Sequence, residues 1–463
     1  MENHALIFKR LSLPTLFYGI FYTFCLYKNF HSIWMVPFVL STLFYAFYAL
    51  RITNIEKRKG NTPYIVGIVL LAISTGCTTS TPILMMNYLG ILLLLIVMLI
   101  RNVYDTKKWT LSLHFCSIIA SIGGSILSIE DFFSDFGDYS YEQKDNRSER
   151  KNLLFILLGI LISIPIVLIL VLLLASADAV FFDMIANITF IDFDLIDFVG
   201  IIFTFLFAIF ASYCGIRFLG KRRIPTKAPN LKHFEPIVGN TILICISSVY
   251  LIFSLIQIIY LFIGNMSLPD EYTYASYARE GFFQLLVVCL INIALVLFFL
   301  GFFKDNLMMK ILLTIICCTT YIMIASSALR MCLYIQAYNL TFLRIFVLWV
   351  LALLAVILVG IIILIFKNNY SIFRHILVTT TVFYLCFSFA HPDYWIAKYN
   401  IIVKGDTSIL CELSTDAAPA IAEYSHSWAI DYENSVVVDE KINLRNYNVS
   451  TAIAKWCFRD FVE

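Results

Sequence analysis

Charged residues are scarce in this chain. Asp, Glu, Lys and Arg make up 14% of its 463 residues, against about 25% in an ordinary soluble domain. Hydrophobic residues make up 60%, and the mean hydropathy is +0.86. Disordered chains have the opposite composition, and a soluble globule has too little interior to bury so much apolar surface. The composition therefore predicts a multi-pass integral membrane protein.

The chain also lacks a charge excess and the motifs of common enzymes. Its 33 basic and 31 acidic residues leave a net charge of +2, so we expect no nucleic-acid partner. A dinucleotide-binding G-x-G-x-x-G, a Walker sequence and H-E-x-x-H are absent, and the 12 cysteines include no C-x-x-C. The histidines are scattered. We therefore expect no cofactor and no metal site, and the absence of these motifs weighs against an enzyme.

Long apolar runs are abundant. A helix needs about 20 mostly apolar residues to cross a bilayer, and only helices fit runs this apolar, because they satisfy their own backbone polar groups in lipid. We expect an all-α fold, with about eleven transmembrane helices within residues 1–390. The predicted runs are 11–27, 33–50, 64–80, 83–100, 153–175, 198–219, 236–263, 282–303, 311–336, 341–366 and 376–390.

A further apolar segment, 111–129, contains several serines and the pair Gly123-Gly124 near its centre. Glycine pairs are common where a segment bends, and Lys and Arg in short loops favour the cytoplasmic side. If 111–129 does not cross, nearly all loop bases share one side. We therefore expect a re-entrant or interfacial segment in a plasma-membrane protein, with a cytoplasmic N-terminus and an extracytoplasmic tail. Outside the tail, the few bases left on the outer side are Lys28, Arg279, Arg330 and Arg344.

The C-terminal tail, residues 391–463, differs from the rest of the chain. It holds half of the six tryptophans and more acidic than basic residues. Its segment 406–424 has apolar residues at helical spacing. Because about 70 residues are marginal for an independent fold, we expect a small amphipathic, helical tail that docks on the multi-pass domain.

Polar residues near the predicted outer face form the candidate site. A charge at mid-membrane costs about 2.5–3.5 kcal/mol, and Arg330 lies in an apolar run with Tyr334 on the same helical face. Alternatively, the arginines bend outward to the interface, and the acids are ordinary helix-end residues. The candidate outer-face cluster comprises Asp178, Glu280, Arg330, Tyr334, Arg344 and Asp393.

Blocks around these residues resemble a known family. The blocks are SADAVF (176–181), YAREGFFQL (277–285), LRMCLYIQAYNLTFLR (329–344) and HPDYWIAKYN (391–400), followed by LSTDAAPA in the tail. Together they resemble a bacterial multi-pass membrane protein family known as a domain of unknown function, of the 4153/4173 type. That family usually has Gly at the position of Asn339 and Asn at that of His391. The resemblance implies a membrane fold and location, but no activity or catalytic residue.

Three functions remain open. The first is a binding or accessory protein of the cell envelope, which contacts the lipid bilayer and binds an envelope protein through the tail. The second is a secondary transporter that pairs Arg330 with a carboxylate. The third is an enzyme acting on lipid-linked substrates at the outer leaflet, with Asp178, Glu280 or Asp393 as its base.

Overall fold

The computed structural model describes residues 4–55, 57–142, 195–224, 234–259, 274–367, 369–403, 407–424, 427–437 and 443–459, with isolated positions between 159 and 178. Within these ranges the regular secondary structure is helical, which confirms the all-α prediction. The predicted run at 153–175 lies outside the described residues except for isolated positions, and the side chain of Glu280 lies outside them too.

The helices follow the apolar runs closely. The first group is α1 (His4–Leu26), α2 (Met35–Ile52), α3 (Thr62–Cys77), α4 (Thr81–Val103), α5 (Leu111–Leu127) and α6 (Ile129–Glu142). The second group is α7 (Leu195–Gly220), α8 (Pro236–Gln257), α9 (Tyr274–Phe302), α10 (Leu307–Tyr338), α11 (Phe342–Phe366) and α12 (Ile372–Phe389). The tail contains α13 (Pro392–Ile402), α14 (Ala418–Ala422), α15 (Ser427–Tyr432) and α16 (Val449–Cys457). Proline stands in the first turn of α3, α4, α8 and α13, where its missing N–H costs no hydrogen bond.

Among the described residues, 8 helices are long and apolar enough to cross a membrane, or up to 9 if α5 and α6 form one bent span. The 8 are α2, α4 and α7–α12. The expected count of about eleven is therefore not confirmed. Two helices that match predicted spans are not among the 8. Helix α3 has only 16 residues, and α1 carries Lys9, Arg10 and Pro14 in its first half. The helices are those of a membrane-embedded, multi-pass protein.

The segment 111–129 bends, but not at its glycine pair. Helices α5 and α6 meet at an angle of 48°, and the break is at Ser128, between the two helices. Gly124 instead allows close packing, because a Cβ there would lie 2.1 Å from the ring of Phe218 in α7. In α6, Asp135 pairs with the fully buried Arg217 of α7 through an Nε–Oδ2 contact of 2.6 Å.

The helices form a bundle with two chemically different ends. At one end, which we call the tail end, the C-terminal tail contacts the end of α1, the start of α2, the α3–α4 link and the end of α12. At the opposite end, which we call the basic end, Arg101 at the end of α4 donates to the backbone oxygen of Lys59 before α3 (3.1 Å). The backbone N–H of Ile224, just after α7, donates to the Tyr104 hydroxyl there (3.1 Å). Both halves of the bent segment touch this basic end. His114 of α5 stacks on Phe373 at the start of α12, and Asp131 of α6 pairs with Lys221, which follows α7 (2.5 Å).

The tail packs into the same core as the membrane helices. Ile396 and Ile421 are fully buried in one apolar cluster with Met331 of α10 and Leu351 of α11. The described part of the segment 406–424, residues 407–424, is not one continuous helix. It forms two 3₁₀ turns, Thr407–Glu412 and Thr415–Ala417, followed by α14. The helix is interrupted where the Ser414 hydroxyl accepts from the Asp416 N–H, since serine caps a new turn rather than continuing a helix.

Candidate functional site

Arg330 lies inside the bundle, about two turns before the end of α10. Its side chain is 7% exposed, and Nη2 donates to Oε1 of Gln257, the last residue of α8 (3.2 Å). Ser326 Oγ donates to the same oxygen (2.6 Å). Gly281 of α9 makes room for the guanidinium, because a Cβ there would lie 1.8 Å from Nη1. We call Gln257, Gly281, Ser326, Ser327 and Arg330 the Arg330 cluster.

Tyr334 lies one turn before the end of α10, and Arg344 lies in the first turn of α11. The Arg344 guanidinium sits 4.3 Å from the centre of the Tyr334 ring, and its Nη1 donates to the backbone oxygens of Tyr338 and Asn339. These are carbonyls that the helix end leaves without intrahelical partners. Asn339 has φ +69°, a backbone conformation that glycine adopts without strain. Arg344 therefore closes the turn between α10 and α11.

Asp178 and Glu280, two acids of the candidate outer-face cluster, have different placements. The side chain of Asp178 is exposed, and its backbone N–H donates to the Leu174 oxygen (3.0 Å). Glu280 is helical in α9 and directly precedes Gly281, which contacts Arg330. The side chain of Glu280 lies outside the described residues.

Asp393 lies in the first turn of α13 and is 4% exposed. Its Oδ2 accepts from the Ser414 hydroxyl (2.6 Å) and, at 3.4 Å, from the Ser414 N–H. Burial raises the pKa of Asp393, and the nearby charge of Asp416 adds to the rise, while hydrogen bonds from Ser414 and Ser80 oppose it. The partners of Asp393 thus belong to the tail and the α3–α4 link rather than to the Arg330 cluster. A substrate could reach this carboxyl only if the tail moved.

Asp416 is the centre of a second polar cluster that sequence reasoning missed. Its carboxylate accepts from Thr78 Oγ1 (2.5 Å), Ser450 Oγ (2.5 Å) and the Thr79 N–H (3.3 Å). His391 Nδ1 lies 3.1 Å from Oδ2. These partners come from the α3–α4 link, the α12–α13 link and the start of α16. We call this set, with its neighbours, the Asp416 cluster: Thr78, Thr79, His391, Asp393, Ser414, Thr415, Asp416 and Ser450.

His391 holds an unusual backbone position within the Asp416 cluster. Its φ is +48° and its ψ is 73°, in the left-handed region, which Asn, Asp and His adopt more readily than most residues. The hydrogen bond to Asp416 raises the pKa of the His391 imidazole, against an opposing effect of burial. Because the two residues are 25 positions apart, helical spacing gave no signal. The only signal was that both lie in the family-like blocks.

Further contacts hold the tail on α1, on the segment before α2 and on the α3–α4 link. Arg445 Nε donates to the Phe24 oxygen in α1 (3.0 Å), and the Ile33 N–H before α2 donates to the Tyr447 oxygen (2.9 Å). Asn448 Nδ2 donates to the Thr78 oxygen (3.0 Å). The tail therefore covers the end of the bundle that is formed by the end of α1, the start of α2, the α3–α4 link and the end of α12. In the part of the chain that the structure describes, no group of three His, Cys, Asp or Glu side chains could hold a metal ion.

Residues 65–424 match the family described as Domain of unknown function (DUF4153). The match covers most of the chain, and it includes the Arg330 cluster and most of the Asp416 cluster. No curated protein and no solved structure matches the chain. The chain belongs to the DUF4153 family.

Proposed function

We propose that this DUF4153 protein is a binding or accessory membrane protein of the cell envelope, whose binding surface is the tail held on one end of its helix bundle. The Asp416 cluster carries the proposal. One buried carboxylate joins the α3–α4 link, the α12–α13 link and α16. Hydrogen bonds to charged groups contribute about 1.5–3 kcal/mol each, so this arrangement favours a fixed platform over a loose arm.

The tail has an outward surface suited to a protein partner. In α16, Ile453 and Trp456 are three residues apart and are 44% and 74% exposed, while Ala454 is buried. Leu444, shortly before α16, is 85% exposed. Tryptophan is enriched among the residues that dominate binding energy at protein interfaces. These side chains support a partner that buries an apolar surface on the tail.

The proposal includes an extracytoplasmic tail. Arg51, Arg101, Lys107 and Lys221 follow or end helices at the basic end, opposite the tail. Since Lys and Arg of short loops favour the cytoplasm, the basic end would face inward. The bent segment α5–α6 fits an interfacial or re-entrant position, because both of its halves contact the basic end.

Cysteine labelling tests the orientation. Leu444→Cys places a thiol on the exposed tail, and Arg58→Cys places one at the basic end, where Arg58 is 40% exposed. With a membrane-impermeant maleimide on intact cells, we expect extra labelling relative to the wild type for Leu444→Cys alone. Arg58→Cys should need permeabilised cells. The reverse pattern would place the tail in the cytoplasm and refute the proposed orientation.

Photo-crosslinking in living cells tests the binding surface. A photoreactive phenylalanine at position 456 or 444 should give discrete protein adducts. The control position is Phe44, which is 76% exposed on α2, and it should give no such adduct. Lipid adducts alone at position 456 would make Trp456 a membrane-interface anchor and would contradict a protein partner there.

The Arg330 cluster favours transport as the second candidate function. A buried arginine between three membrane helices is costly, and such residues mark anion or proton pathways in transporters. Arg330→Gln should then abolish proton flux into liposomes that contain the purified protein, as a pH-sensitive dye reports. Arg344→Gln is the matched control, since Arg344 binds backbone carbonyls at a helix end. Equal flux in the wild type and Arg330→Gln would exclude a proton pathway through Arg330.

A further inference from the structure

A cavity of about 620 Å³ opens among α3, α4, α5 and α12, away from the tail. Its size lies within the range of about 300–1,000 Å³ that is typical of small-molecule sites. Three bases line it: Arg101 at the end of α4, Lys107 in the following turn, and Arg374 in the first turn of α12. The cavity therefore has a basic mouth at the basic end of the bundle.

The walls beyond the mouth are apolar and run along the helices. On α12, Arg374 is followed by Leu377, Thr381 and Leu385 at steps of three or four residues, and all of them line the cavity. These positions share one helix face and extend about 16 Å along the axis. Leu94 and Val97 of α4 form the facing wall before Arg101. The cavity thus changes from cationic to apolar with depth.

The positive charge at the mouth is not cancelled by acids. No acidic residue is among the described residues that line the cavity. Asp105, the acid next in sequence to the mouth, pairs with Arg58 (3.4 Å), and it accepts from the backbone N–H of Lys107 (3.4 Å) rather than from the Lys107 ammonium. Arg101 donates to the backbone oxygens of Lys59 and Gly60 rather than to an acid. Within the described ranges, neither Lys107 nor Arg374 forms a salt bridge with an acid.

We propose that this cavity binds one anionic glycerophospholipid from the surrounding bilayer. The lipid phosphate contacts Arg101, Lys107 and Arg374, and one acyl chain lies along the apolar face of α12. A cationic mouth and an apolar wall complement an anionic headgroup and its chain, as basic pockets between transmembrane helices do for such headgroups. The site lies at the other end of the bundle from the Asp416 cluster and does not depend on the function of the tail.

Native mass spectrometry of the purified full chain tests this proposal. The probes are phosphatidylglycerol, phosphatidylcholine and oleate, each titrated into detergent-solubilised protein. We expect one phosphatidylglycerol to bind more tightly than phosphatidylcholine. Lys107→Gln/Arg374→Gln should weaken phosphatidylglycerol binding about tenfold or more, because each base near an anionic lipid contributes about fivefold. The matched control Arg10→Gln/Arg51→Gln removes two exposed bases that do not line the cavity, and it should bind as the wild type does.

A second variant tests the apolar wall. Val378→Trp places a bulky ring in the cavity wall, at a position that is 47% exposed, so it need not disturb the core. It should also weaken phosphatidylglycerol binding, because the ring fills the space proposed for the acyl chain. Wild-type affinity in either cavity variant would overturn the proposal, as would equal loss in the Arg10/Arg51 control. If oleate binds and phosphatidylglycerol does not, the ligand is not a phospholipid and the proposal is wrong.

Discussion

The Arg330 cluster and the Asp416 cluster both bury a charged group, but they satisfy it differently. Arg330 lies between neighbouring membrane helices and donates to the Gln257 amide over a glycine. Asp416 lies outside the membrane helices and accepts from groups as far as 338 residues away in sequence. The arginine thus contacts neighbouring membrane helices, whereas the aspartate joins the α3–α4 link to the C-terminal tail. We therefore expect the aspartate to matter more for the fold.

The largest expected effect is that of Asp416→Ala. The change leaves the buried Thr78 hydroxyl without its acceptor, and it removes the contacts of Asp416 with Ser450 and the partly exposed His391. Removing one partner of a buried charged contact costs about 3–5 kcal/mol. We expect the tail to detach, with a lower Tm and faster proteolysis between α13 and α16.

Asp431→Ala is the control, because Asp431 is an exposed acid of the same tail. It should behave as the wild type does. A wild-type Tm and unchanged proteolysis for Asp416→Ala would show that the Asp416 cluster does not hold the tail.

The next effect concerns Gly281→Ala in the Arg330 cluster. The new Cβ would lie 1.8 Å from Arg330 Nη1, so the guanidinium must move, and overpacking costs about 1–3 kcal/mol. Gly301→Ala in the same helix is the matched control, since no atom lies within 4 Å of its Cβ position. Thermal unfolding in detergent should show a lower Tm for Gly281→Ala alone.

A double variant sharpens this result. Arg330→Ala removes the clashing group, so Gly281→Ala should cost much less in that background. An unchanged cost would mean that Gly281 is required for another reason, and the placement of Arg330 over Gly281 would be wrong.

The two clusters differ in how visible they are in the sequence. Most helix bounds follow the apolar runs, and Arg330 stands out because a charge in such a run is costly. His391 and Asp416 lie in segments of ordinary polar composition, and their contact depends on how the tail folds back. The break after Leu413 was likewise hidden, because apolar spacing does not reveal that Ser414 starts a new turn. Long-range polar contacts leave no local periodicity from which to predict them.

A smaller effect is expected for Arg344, which contacts the Tyr334 ring across the α10–α11 link. Arg344→Gln loses the contact with the Tyr334 ring and the charge near the helix end. Each of these contributes about 0.5–1 kcal/mol. We expect a Tm decrease of a few degrees with no release of the tail. Tail proteolysis as fast as in Asp416→Ala would show that the α10–α11 turn also supports the tail.

The smallest effect is a pH dependence of tail docking through His391. Because the pKa of His391 is raised in the folded protein, protonated His391 stabilises docking below the unfolded pKa of about 6.5. This stabilisation is lost as the pH rises through the folded pKa. The pKa of buried Asp393 is also raised, so its ionisation at higher pH also weakens docking. Tail proteolysis should therefore accelerate as the pH rises above about 6.5.

His391→Asn separates the two groups. Asparagine tolerates the left-handed backbone at this position but does not titrate, so the rise in proteolysis above neutral pH should disappear. Any pH dependence that Asp393 causes should remain at lower pH, since the pKa of an aspartate in the unfolded chain is about 3.9. If His391→Asn keeps the wild-type profile, the imidazole does not control docking. The Asp416 cluster would then depend on its hydroxyl and backbone donors.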